Sequence, residues 1–405
     1  MPDWSAKDVD AARLWAECGG QWLTDPAVRV PVELVTGVVG MTTWLDEAGA
    51  GLDDVFGNFG VGVLSERAAT QRLRPSGRVS AGGASQLMRC VDGWVAVSLP
   101  RPDDFAAVPA WLGTTGDVPL KVWSAVESAL ASVTVASAVE RASLLGIACA
   151  AVGERVTQAS TVQVEPLGAA TPARVAELVV ANLASLWAGP LAADVLARCG
   201  ARVISIESTS RPDGARAWPA FFDDLHGRCE SVALDFTDDR DRHGLAELLH
   251  RVDVVIEGSR PRALEQLGID ARAVTRTGPR VWVSITGHGR DEPHAHRIGF
   301  GDDAAAAGGL IGWVNDEPRF LADAVADPIT GLTAAATVIQ LAAAGGRWLV
   351  DAPLAGIAAR YAEKASSVHA RTDPTPPARR RDRGTHIPMG RDTEHVLAEF
   401  GISNS

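Results

Sequence analysis

The sequence predicts an α/β protein: a doubly wound, mostly parallel sheet with a smaller α+β domain beside it. Three observations predict this. From Leu178 onward, short apolar runs of strand length alternate with helix-length amphipathic stretches, the rhythm of a parallel sheet. Earlier in the chain two β runs meet through Asp92-Gly93, a strong hairpin signal that belongs to antiparallel structure. The length of 405 residues is enough for two or three domains with a sizeable core.

The elements follow in order. Trp15 to Trp22 has helical spacing, and Val32 to Leu45 is a second apolar helix ending near Gly49. The run R-V-S-A-G-G-A-S from Arg78 is a small-residue loop, followed by the two hairpin strands around Gln86 and Trp94. Pro102-Asp-Asp starts a helix through Trp111, with amphipathic helices at Val122–Ser132 and Ala138–Leu145. Residues 1–155 thus read as the small α+β domain, and 156–175 as a linker. The large domain, 176–370, has strands at Leu178–Asn182, Arg202–Glu207, Ser231–Asp235, Asp253–Glu257, Val281–Ile285 and Trp348–Val350. Helices start at Ala188-Gly-Pro190 and near Asp239. Residues 371–405 form a Pro/Arg-rich crossing segment and a short helix from Thr393, capped by Asp392 or Thr393.

Composition narrows the function. The net charge of -12 gives no field to draw in nucleic acid, so an anionic ligand must find local arginines. Five cysteines (Cys18, Cys90, Cys149, Cys199, Cys229) lie apart, with neither a C-x-x-C nor a neighbouring histidine cluster. Zinc and a disulfide framework are therefore not expected, and a reducing cytoplasm fits. The first residues contain acids and no apolar core of a signal peptide. The longest apolar run, Leu178 to Leu196, is interrupted by Asn182, Pro190 and Asp194, so no membrane span is expected.

No Walker loop, H-E-x-x-H or G-x-S-x-G occurs, and the first sheet turn, Trp187-Ala-Gly-Pro190, lacks the dinucleotide glycines. His294 and His296 read as surface residues, and Asp302-Asp303 as the first-turn acids of a helix rather than a cation site. The stretch F-L-A-D-A-V-A-D-P-I-T-G, Phe320 to Gly331, brings Asp323 and Asp327 to a turn before a helix opening at Pro328. Asp327 is there either an N-cap or a carboxylate held ionised as a nucleophile. Arg211 with Arg216, and Arg260 with Arg262, follow neighbouring strands at the edge where such sheets bind ligands, and are candidate phosphate ligands. Gly82-Gly83 offers backbone N–H groups to a carboxylate or a developing oxyanion. The chain also echoes itself. Gly19 through Glu33-Leu-Val-Thr-Gly37 resembles Gly308 through Asp327-Pro-Ile-Thr-Gly331, with Glu33 in the place of Asp327, as in a shortened tandem retaining a remnant of a first repeat.

Together these motifs resemble the family III CoA transferases, the group of formyl-CoA and carnitine CoA-transferases. The run from Gly189 to Glu207, then R-P-D-G-A-R, S-V-A-L-D, D-V-V-I-E, L-G-I-D, V-S-I-T-G-H-G and A-D-P-I-T-G, follow in family order. V-D-G-W-V-A-V-S-L and Ala81-Gly-Gly-Ala84 resemble the hairpin and glycine loop of the family's small domain, and Pro388 to Gly401 its last helix. The likeness covers residues 178–365, and more loosely 78–112 and 388–401. It implies a Rossmann-like large domain, a catalytic Asp327, and substrate contacts from Gly82, Gly83 and Phe300. It also implies coenzyme A held by Trp187, Ala188 and Gly189 with Arg211, Arg216, Arg260 and Arg262. No metal and no permanently bound cofactor are implied; the substrates are acyl-CoA thioesters and a small carboxylic acid, and the assembly a homodimer, with a pseudo-dimer within one permuted chain as the alternative. Three departures stand out: the small domain comes first, Ser205 replaces the usual Lys, and the basic turn H-G-R-C-E keeps only Arg228. The expected reaction is CoA transfer through an aspartyl anhydride and thioester. An acyl-CoA racemase or isomerase, or a non-catalytic CoA-ester-binding subunit, are the alternatives. The first is disfavoured because Gly299-Phe-Gly301 has no imidazole where the racemases carry one.

Overall fold

The computed structural model describes residues 4, 6, 9–114, 120–155, 162–259, 261–362, 367–368 and 373–402. The hairpin forms where expected: β1 (Ser85–Arg89) and β2 (Trp94–Ser98) pair antiparallel, and β3 (Ala148–Ala151) adds beside β2. Alternate side chains face opposite ways along a strand. Met88, Val95 and Val97 meet the helices Pro102–Leu112, Val122–Leu130 and Val135–Leu145, while Leu87 and Ala96 pack on Ala306 and Phe320 of the larger part. Being buried on both faces fixes this small sheet against the site described below.

The large sheet has seven strands: β4 (Gln163–Gly168), β5 (Val179–Asn182), β6 (Arg202–Ser208), β7 (Glu230–Leu234), β8 (Val254–Glu257), β9 (Val281–Thr286) and β10 (Arg347–Pro353). They lie in the order 4-10-9-8-5-6-7, parallel except for β4. The order reverses between β5 and β8, which opens a crevice beyond their carboxyl ends. The expected strands are all present. Residues 163–168, read as linker, instead form the edge strand β4. The reason is local: only Leu167 is buried, so the strand carries little apolar signal, and Pro166 is tolerated at an edge.

The N-terminal segment also sits differently from its reading as part of the small domain. Helices α1 (Val32–Glu47) and α2 (Glu66–Gln71) join the layer formed by α3 (Ala188–Arg198), α4 (Gly301–Ala307), α5 (Ala326–Ala344) and α6 (Leu354–Ala362). Leu34, Val35, Val38 and Met41 share one core with Ile329, Leu332, Ile357 and Tyr361. A helix apolar on several sides needs several neighbours, but its sequence does not say which.

The crossing segment runs along the large part, and Arg380 is buried in it, 2% exposed. In the last helix, Thr393–Glu399, the expected caps do other work. Asp392 accepts from the Ser231 N–H (2.8 Å) and the Thr393 hydroxyl from the Ala233 N–H (2.9 Å), which fastens the helix to edge strand β7. Among the described residues no helix is long and apolar enough to cross a membrane.

Candidate active site

The loop from Phe320 to Val325 is buried throughout, and its N–H groups are held by three distant parts of the chain. Phe320 donates to the Gly77 carbonyl (2.8 Å), Ala322 to the Thr24 hydroxyl (2.9 Å), and Ala324 to Asp302 Oδ1 (3.0 Å). Ala322 and Ala324 have φ of 45° and 44°, a left-handed conformation uncommon for alanine. These bonds hold that strain in place.

The tight loop changes the role of Asp327. The helix begins at Ala326, with Val325 in the N-cap place, so Asp327 is its second residue and Pro328 its third. Proline is tolerated there because first-turn N–H groups have no partner within the helix. The carboxylate is therefore not the N-cap foreseen as one of its two roles, and it stays half-buried beside α4. Gly301 lies against it: a Cβ there would lie 2.4 Å from Asp327 Oδ2 and 2.6 Å from the Ala324 carbonyl. Only glycine allows the carboxylate to sit where it does.

Asp302 and Asp303 follow Gly301 on the first turn of α4, where first-turn acids were expected. Asp303 accepts from the Phe300 N–H (3.0 Å) and the Ser98 hydroxyl (2.7 Å). The Ser85 hydroxyl lies 2.7 Å from that of Ser98 and 3.3 Å from Asp302 Oδ2. The small sheet thus reaches the Phe320–Val325 loop through a chain of hydroxyls and carboxylates. Among the described residues no group of three His, Cys, Asp or Glu could hold a metal ion.

Asp323, wholly buried, is met by Arg67 from α2 in a two-pronged pair, Nε to Oδ2 at 2.9 Å and Nη2 to Oδ1. The guanidinium also stacks 5.3 Å from the centroid of the Trp187 ring. Gly82 borders it: a Cβ on Gly82 would be 3.4 Å from Arg67 Nη2. Gly82, Trp187 and Asp323 therefore converge on one cation, with Phe300 joined through Gly301 and Asp303. Arg67 carries no signal in the sequence, because its partner lies 256 residues away.

These charges set the titration of the site. Burial pushes Asp327 up to about 7; Arg67 pulls it down, and Asp302, Asp323 and Asp303 push it up. Burial and Asp323 raise Asp302 to about 6. Burial raises Asp303 to about 7 against its bonds from Ser98 and Phe300. Asp327, expected to be ionised at pH 7, is thus pushed toward its neutral form by burial and the neighbouring acids, with Arg67 opposing them.

The expected coenzyme ligands fare unevenly. Trp187, Ala188 and Gly189 are buried rather than open, and Leu186 beside them is 37% exposed. Arg216 is engaged by Glu207 (2.8 and 2.5 Å) and lies over the Phe222 ring. Arg228 pairs with Asp194 and Asp382. Arg211 is exposed, as is Gly83, which has a φ of 75°. Arg260 lies outside the described residues, and so does the side chain of Arg262. His296 is exposed as expected, whereas His294 is partly buried with Nε2 2.9 Å from Arg155.

Comparison with known proteins bears on residues 175–387, which match the sequence model of CoA-transferase family III. The chain is 29% identical over 167 residues to mouse succinyl-CoA:glutarate CoA-transferase, covering 38% of each chain. It is 30% identical over 171 residues to the succinate–glutarate CoA-transferase of Agrobacterium fabrum, covering 38% of this chain and 43% of that one. The chain thus matches well under half the length of these relatives. A solved structure of a CAIB/BAIF family protein from Brucella suis is 28% identical, covering 47% of this chain and 55% of that one with a TM-score of 0.42.

Proposed function

The chain belongs to CoA-transferase family III, and from that premise we propose that it moves CoA from an acyl-CoA thioester to an acceptor carboxylate, with Asp327 as nucleophile. The observation that carries this reading is the Asp327 carboxylate itself, uncapped, half-buried and set against Gly301 in a cluster of acids. Its oxygen attacks the thioester carbonyl and expels CoA thiolate, leaving a mixed anhydride. The thiolate then attacks the aspartyl carbonyl, giving an aspartyl-CoA thioester and releasing the donor acid. An acceptor carboxylate repeats the sequence in reverse, and Asp327 returns unchanged. One difficult exchange becomes a set of easier acyl transfers. The Gly82-Gly83 loop, next to Arg67, covers the anhydride and keeps water from it. The names of the relatives point to dicarboxylic acids such as succinate and glutarate as the class to try first.

The engagement of Arg216 and Arg228 by internal acids favours a second reading, a binding subunit with a weakened grip on coenzyme phosphates. One experiment separates the two. The protein is incubated with succinyl-CoA and hydroxylamine and then digested for mass spectrometry. A hydroxamate confined to Asp327 is the expected result. Unmodified Asp327, together with retained CoA-ester affinity in Asp327→Ala, would leave the binding subunit.

A further inference from the structure

Glu66 and Arg67 are consecutive on the first turn of α2 and face different partners. Glu66, 2% exposed, is gripped by Arg380 of the crossing segment, with Nε 2.7 Å from Oε2 and Nη2 3.0 Å from Oε1. Arg380 is itself tied to Asp194 Oδ2 (2.8 Å) and the Asp224 carbonyl (2.5 Å). Neighbouring helix positions differ by about 100° in direction, at 3.6 residues per turn. Holding Glu66 in that interior pair therefore turns Arg67 toward the nucleophile loop. There the fork of Arg67 closes on Asp323, four residues before Asp327, and leans on Trp187. The charges that face Asp327 are Asp302 and Asp303 from α4, Asp323 from its own loop, and Arg67 from α2.

Resting on the reading of Asp327 as nucleophile, we propose that Arg67 is its positioning residue: it ties down the buried end of the loop through Asp323 and supplies the positive charge that lets Asp327 carry a negative one beside three other carboxylates. A paired fork on a wholly buried carboxylate fixes geometry as well as charge. Glu66 and Arg380 hold α2 from behind, so the crossing segment is linked to the nucleophile through two adjacent residues.

The test is a pH titration of the full chain by carbon NMR, with aspartate labelled at the side-chain carboxyl and Asp327→Asn marking the Asp327 signal. Arg67→Gln removes the charge and Arg67→Lys keeps it, while both lose the fork. The Gln variant is expected to move the Asp327 midpoint upward by about one pH unit or more. The Lys variant is expected to stay within about half a unit of the unmodified protein. An unmoved midpoint in the Gln variant, or equal shifts in both, overturns the proposal. The unmodified protein is a test even if neither variant folds: an Asp327 midpoint above about 8 would mean that the Arg67 charge does not let Asp327 ionise near neutral pH, and would overturn the proposal. Transfer activity surviving in Asp327→Ala would remove the nucleophile reading but leave these midpoints to be judged separately.

Discussion

At the scale of single residues the site depends on a close approach between Gly301 and Asp327. Gly301→Ala puts a methyl 2.4 Å from Asp327 Oδ2 and 2.6 Å from the Ala324 backbone carbonyl, so the short Asp327 side chain must swing away and the loop backbone must give as well. Overpacking of this kind costs about 1–3 kcal/mol, so the variant should fold with a lowered Tm. Its transfer rate should fall far more than its affinity for CoA esters if the displaced carboxylate is the proposed nucleophile; equal losses of both would count against this. Asp327→Ala should lower transfer by a factor on the order of 10⁴ or more. With Asp327 titrating at about 7 and reacting only when ionised, kcat/KM for the unmodified protein should rise with pH up to about 7 and level off above it. Asp303 makes a stability prediction. Its folded pKa of about 7 lies above that of an unfolded aspartate, so between pH about 4 and 7 the folded state holds the proton more tightly. Stability must then fall as pH rises through that window, by up to about 1.4 kcal/mol per pH unit for this group. Asp303→Asn should flatten that slope in denaturant titrations at several pH values. Asp327 itself is legible in A-D-P-I-T-G, but its helix position is not, because two left-handed alanines start the helix earlier than Pro328 suggests.

At the scale of elements the parallel strands are plain in the sequence because burial on both sides makes them continuous apolar runs; β8 and β9 are buried along their whole length. The edge strand β4 is not plain, for the opposite reason. The crossing segment is the instructive intermediate. Its composition of Pro and Arg reads as mobile and solvated, yet Arg380 is among the most buried side chains, closing on Glu66, Asp194 and the Asp224 carbonyl. No spacing rule predicts such a pairing, since each partner comes from a different part of the chain. Arg380→Met keeps most of the apolar stem of the side chain and strands Glu66 without its cation. Removing one partner of a buried pair costs about 3–5 kcal/mol. Urea unfolding should report a loss of that size, and a loss below about 1 kcal/mol would mean that water reaches Glu66 in the native state. Because α2 carries both Glu66 and Arg67, transfer should suffer as well in whatever fraction stays folded.

At the scale of the whole molecule, a single chain brings both sides of the site together. Arg67 and Gly82 come from its first quarter, Ser85 and Ser98 from the small sheet, and Asp302, Asp323 and Asp327 from the large part. Helix α1, which opens beside Glu33, packs in the same core as α5 and α6. A second chain could join by exchanging its small sheet and N-terminal segment, or it could associate while each site stays within one chain. Co-expression of Asp327→Ala with Arg67→Gln tells these apart. Near pH 6 the Gln variant should have the least ionised Asp327, so both parents should be poor catalysts there. Exchange would create some sites with both native residues, and transfer would rise above the mean of the parents. The contacts within one chain lead us to expect no such rise, at any protein concentration, whether or not the chains associate. A rise that grows with concentration would instead mean that Arg67 reaches the Asp323 of a neighbouring copy.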